Sequence, residues 1–152
     1  GKTENVTVLQ PNFDPYTEKF VIPYRMQMEK MIGLSLQKIN DTTDFLVWPE
    51  TSVQDEIWLD KLKYQKPVRD LRKAIDSFPN LTAVIGINGF EEYPNKDSIT
   101  ATARIHIKPS SPPDTMYYDI YNSALAVNSE GPVGYYNKSK LEKHALLKLK
   151  QI

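Results

Sequence analysis

Two charged residues stand where a folded chain could use them for chemistry. Glu50 closes FLVWPE, residues 45–50, four apolar side chains and a proline ending on one carboxylate. A carboxylate just past a buried central strand sits where α/β sheets place their reactive groups, and desolvation there moves a carboxyl toward the range useful to a general base. The same group could instead cap the following turn by accepting backbone N–H bonds from Ser52 or Val53. Lys138 follows a second apolar run in GYYNKSKL, residues 134–141. A lysine there could hold the charge of an oxyanion, or be a solvated charge, and Lys140 could play the same part. A general base and a cation are groups that assist nucleophilic attack on a carbonyl. The chain has no cysteine, however, and neither Ser52 nor Ser139 has a histidine at a recognisable spacing to activate it.

The elements that must position these residues alternate along the chain. Val6, Val8 and Leu9 form a first strand that stops at Gln10-Pro11-Asn12, a turn-rich stretch. Behind Pro23, Tyr24, Met28, Met31, Ile32, Ser35 and Ile39 recur at helical spacing, the methionines as core filling. Residues 45–48 predict a strand covered on both faces, and 83–87 another. Between them Val68, Leu71, Ile75 and Phe78 form a helix behind Pro67. Gly86 and Gly89 permit close backbone packing. After Gly89 comes a polar turn, EEYPNKDS, then an edge strand over 101–107 and a proline-rich loop, KPSSPPD, over 108–114. Strands over 121–127 and 133–136 are joined by a turn at 128–131. The order predicts a mixed sheet with helices packed on it.

Composition limits the partners. With 152 residues, 40% of them hydrophobic, the chain can bury one core. Its 19 basic and 19 acidic residues balance, so no global field draws in nucleic acid or an anionic membrane surface. The absence of cysteine excludes disulfides and zinc–thiolate sites within these residues, and no metal or other cofactor is expected. No apolar run approaches the roughly 18 residues of a spanning helix, and the start lacks the layout of a signal peptide. The chain is expected to be soluble as it stands.

Four stretches together resemble the carbon-nitrogen hydrolase (nitrilase) superfamily: LQPN at 9–12, WPET at 48–51, YNSALAV at 121–127 and YYNKSKL at 135–141. Within it they look most like the extracytoplasmic catalytic domain of the apolipoprotein N-acyltransferases, over about residues 5–141. The resemblance implies an α+β fold, a nitrilase-like α-β-β-α sandwich that is incomplete here, its mixed sheet carrying helices on one face. It also implies a Glu-Lys-Cys triad in which Glu50 matches the general base and Lys138 the lysine that stabilises the tetrahedral oxyanion. Phe20 falls where some members place a lipid-contacting aromatic. In the family, a cysteine takes an acyl chain from a phospholipid as a thioester and passes it to the N-terminal amine of a diacylglyceryl-cysteine lipoprotein, outside the bacterial cytoplasmic membrane. The parent protein would be anchored in that membrane.

The sequence departs from the family where it lacks the cysteine, where transmembrane helices would flank it, and over 142–152, EKHALLKLKQI. Residues 1–141 therefore read as the N-terminal part of the domain and 142–152 as a divergent or vector-derived tail, and the chain alone is expected to be inactive. A fragment of a soluble amidase of the same superfamily, or a non-catalytic binding domain with Glu50 and Lys138 as caps or surface charges, are the alternatives. The sheet face away from the helices is expected to be apolar, allowing self-association. Glu50 and Lys138, both at strand ends, are expected within about 8 Å of each other at one end of the sheet.

Overall fold

A computed structural model describes residues 1–12, 22–50 and 52–140. It is a mixed α/β structure built on one sheet, with the elements β1 (Val6–Val8), α1 (Tyr24–Lys38), β2 (Phe45–Val47), β3 (Val53–Trp58), α2 (Lys66–Ala74), β4 (Thr82–Glu92), β5 (Arg104–Lys108), β6 (Asp114–Asn128) and β7 (Gly131–Lys140). Short 3-10 helices at Leu59–Tyr64 and Lys96–Ser98 complete the order. Among the described residues no helix is long and apolar enough to cross a membrane.

The spine of the sheet is the antiparallel ribbon of β4 and β6, in register from Ala83 opposite Val127 to Glu92 opposite Tyr118. Each spine strand pairs with two partners in succession along its outer edge. β4 carries β2 and then β3, both parallel to it, and β6 carries β5 and β7, both antiparallel. β1 lies parallel to β2 beyond it. The strands ending near Leu9, Trp48 and Ile87 are thus neighbours in the expected order, with β1 at one end of the sheet instead of in its middle.

Period-two alternation decides what is buried. Ala83, Ile85 and Ile87 of β4, with Leu46, Leu125 and Val127 opposite or beside them, are fully buried. They pack with Met28 and Met31 of α1 and Val68 and Leu71 of α2 into one core. Both helices therefore cover the same sheet face. Tyr24 Oη joins them by donating to Asp70 Oδ2 at 2.8 Å. The other face carries Val6, Val8, Phe45, Val47 and Val84, half-buried or exposed. The continuous apolar runs of β2 and β4 do not mark strands covered on both sides here: among the described residues, helices cover one face only.

Several boundaries move for physical reasons. β3 has no expectation behind it, because VQDEIW places Gln54, Asp55 and Glu56 between apolar ends and its pairing with β4 is irregular there. β4 runs on through Glu91 and Glu92, which pair with Asp119 and Tyr118 instead of forming a turn. The edge strand is confined to Arg104–Lys108, while β6 begins earlier, at Asp114. The hairpin at 128–131 is as expected. Asn128 Oδ1 accepts from the N–H groups of Glu130 and Gly131, and Gly131 takes a φ of 137° that a side chain would resist.

Candidate functional site

Glu50 owes its position to a register change. Val47 faces Val84, but Val53 faces Ile87, so six steps along the outer chain accompany three along β4. The surplus falls between Trp48 and Ser52, both of which return to β4: Trp48 N–H donates to Val84 O at 2.9 Å, and Ser52 N–H to Gly86 O at 3.0 Å. Trp48 is buried on the helix side, where its indole N–H donates to Ser35 Oγ at 2.9 Å. With that side chain anchored below, Glu50 lies on the opposite, open face with Val47 and Val84. The Ser52 N–H is spent on β4, so it does not serve as the donor of a Glu50 turn cap.

Lys138 arrives from the other side of the spine and lies within β7, not beyond its end as expected. Ser123 faces Asn137 while the adjacent Asn122 faces Ser139, leaving Lys138 as the extra residue of a bulge. Lys138 lies on the open face two residues after Tyr136, which lines the same cleft, and the bulge resets the register of Ser139 and Lys140 that follow it. Lys138 Nζ stands 3.5 Å from Glu50 Oε1, and the Asn122 side-chain amide donates to the same oxygen. The pair borders a cleft of about 300 Å³ whose floor includes Val47, Val84, Ala124 and Tyr136.

A carboxylate able to accept a proton and an ammonium able to face an oxyanion thus share one apolar-floored cleft. Both side chains remain open to water, at 61% and 65% exposure for Glu50 and Lys138. The desolvation expected of a carboxylate behind a buried strand is therefore not found, because Glu50 lies on the open face, clear of the core. An ion pair this exposed contributes about 0–1 kcal/mol to stability.

Of the other candidates, Phe20 lies outside the described residues. Lys140, the alternative lysine, is turned away from this cleft and bonds Asp119 Oδ2 at 2.7 Å. Asn122, which donates to Glu50, is a site residue that the sequence reading misses. Its signal is a carboxamide in the run YNSALAV on the strand face it shares with the small apolar Ala124 and Ala126. Among the described residues no group of three or more histidine, aspartate and glutamate side chains is placed to hold a metal ion.

No family model matches the chain, and no curated protein does. Among solved structures, the glutamine-dependent NAD+ synthetase from Acinetobacter baumannii, in complex with adenosine diphosphate, aligns over 79% of this chain at 18% identity with a TM-score of 0.38. This chain spans 19% of that chain's length. A likeness of that size assigns neither a fold family nor an activity.

Proposed function

We propose that Glu50 and Lys138 are the general base and the oxyanion-stabilising cation of an acyl-transfer site of the carbon-nitrogen hydrolase kind. The observation that carries this is the 3.5 Å approach of Lys138 Nζ to Glu50 Oε1 over an apolar floor, from strands on opposite sides of the spine. Glu50 would take the proton of an attacking thiol, and Lys138 would face the negative charge of the tetrahedral intermediate. The thiol would come from outside these residues, since the chain has no cysteine. The resemblance of WPET, YNSALAV and YYNKSKL to the apolipoprotein N-acyltransferases supplies the finer proposal. There the donor is a phospholipid acyl ester, the acceptor is the N-terminal amine of a diacylglyceryl-cysteine lipoprotein, and the domain faces outward from a bacterial cytoplasmic membrane. An amidase would use the same pair with water as the acceptor.

The exposure of both side chains favours a second reading, an ordinary surface ion pair on a non-catalytic domain. One assay separates the two. The chain is mixed with a p-nitrophenyl acyl ester and a small thiol such as 2-mercaptoethanol, and thiol-dependent release of nitrophenolate is followed. An acyl-transfer site accelerates thiolysis about tenfold or more over thiol alone, and Glu50→Gln or Lys138→Met removes the acceleration. Equal rates for the chain and both variants would leave only the surface ion pair.

A further inference from the structure

The bulge that presents Lys138 is held on both flanks by polar contacts to buried residues of β6. Toward the hairpin, Ser123 Oγ donates to Asn137 Oδ1 at 2.6 Å, and Ser123 is buried on the helix face. Toward the end of β7, Lys140 Nζ bonds Asp119 Oδ2 at 2.7 Å, and the Asp119 side chain is only 2% exposed. Tyr93 Oη donates to the same Asp119 oxygen, and the Lys140 ammonium lies 5.6 Å from the Tyr121 ring and 6.0 Å from that of Tyr93. Asp119 pairs with Glu91 and Tyr121 with Gly89 in the β4–β6 register, so this anchor belongs to the rigid spine.

A bulge is a register defect, and an edge strand holding one can slip by a residue and send each side chain to the opposite face. Sliding β7 past β6 would pull Lys140 from Asp119 and leave a buried carboxylate without its cation, a costly arrangement. We propose that Lys140, through Asp119, is the positioning residue that locks the bulge in the register directing Lys138 at Glu50. The two lysines of YNKSK then divide the work: one faces the cleft, and the other, two positions on, fixes the strand that carries it. This deepens the proposed acyl-transfer site and rests on that reading for its catalytic meaning. The geometric claim is tested without any activity.

Carbodiimide treatment condenses a carboxylate with an ammonium to an amide only where the two meet. The yield of the Glu50–Lys138 isopeptide, measured by peptide mass spectrometry, therefore reports the approach directly. The Glu92–Lys108 pair, at 3.8 Å across the same sheet, is the internal control for an intact fold. In Lys140→Met the Glu50–Lys138 yield is expected to fall about fivefold or more while the Glu92–Lys108 yield holds, and Lys140→Arg, which keeps a cation on Asp119, restores it. If Lys140→Met loses both crosslinks, Asp119→Asn is read in the same way with the same control. Undiminished Glu50–Lys138 crosslinking in a folded Lys140→Met or Asp119→Asn chain overturns the proposal, as does failure of the unsubstituted chain to form the link. Failure of the thiolysis assay alone, with the crosslink formed and sensitive to Lys140, removes the catalytic reading and leaves the positioning claim standing.

Discussion

At the scale of single residues, the molecule gives two lysines that the sequence presents almost identically, Lys138 and Lys140, to two different ion pairs. Glu50 with Lys138 is open to solvent, so Glu50→Gln is expected to change unfolding free energy by less than about 1 kcal/mol in urea titration. Asp119 with Lys140 is different. Burial pushes the Asp119 carboxyl up, but hydrogen bonds from Lys140, Tyr93 and Thr102, together with the Lys140 charge, outweigh it and hold the carboxyl below its ordinary range. The Lys140 ammonium is raised in turn, chiefly by its hydrogen bond to Asp119. A depressed carboxyl contributes stability that is present above its unfolded value, near 3.9, and lost as pH falls through the folded value. A raised ammonium contributes stability present below about 10.4 and lost at higher pH. Urea midpoints measured from pH 6 to pH 2 should therefore fall more steeply for the parent chain than for Asp119→Asn. At pH 7 that substitution should cost about 3 kcal/mol, the low end for breaking a buried pair, because Lys140 keeps some access to water.

At the scale of elements, the spine strands are where small changes should be felt. A methyl group built on Gly89 of β4 would stand 2.8 Å from Ser123 Oγ and 3.0 Å from a Leu59 methyl. Gly89→Ala should therefore cost about 1–3 kcal/mol by overpacking. It should also disturb the Ser123–Asn137 contact, lowering the Glu50–Lys138 crosslink yield although Gly89 touches neither residue. Differential scanning calorimetry with the same peptide map checks both effects, and an unchanged melting temperature would contradict the first. Much of this level was legible beforehand. The helices behind Pro23 and Pro67, the strands containing Leu46 and Ile85, and the Asn128–Gly131 turn all follow from local periodicity and turn chemistry. β3 was not, because three polar residues interrupt it and its pairing to β4 is a tertiary fact. Nor was the inclusion of Lys138 in β7, since Asn137-Lys138-Ser139-Lys140 has no apolar pattern and is placed in the strand by its pairing with β6.

At the scale of the whole molecule, the described residues cover one sheet face with helices and leave the other open. Val8 and Tyr136 are both 70% exposed on the open face, beside the partly exposed Phe45. Apolar surface gathered in this way favours association, so sedimentation velocity at rising concentration should show a growing dimer fraction, which Val8→Lys reduces. A monomer at every concentration would count against that expectation. The chain alone should form no thioester or other acyl adduct with a phospholipid donor, because it has no thiol. An acylated mass in the intact protein would contradict this directly.

What the sequence by itself determined is the local grammar: which stretches alternate, where helices begin, which turn needs a glycine, and that a carboxylate and a lysine follow apolar runs 88 positions apart. Only the tertiary structure decided that those two side chains meet while Lys140 does not join them. The reason lies in register. Three surplus residues between β2 and β3 take Glu50 off the sheet, and one surplus residue in β7 sets Lys140, not Ser139, opposite Tyr121 while Lys138 stays on the open face. A surplus exists only relative to a partner strand, so no periodicity within either segment records it. The same holds for burial: apolar β2 and β4 look alike on both faces in sequence, and only the packing of α1 and α2 on one side distinguishes core from open cleft.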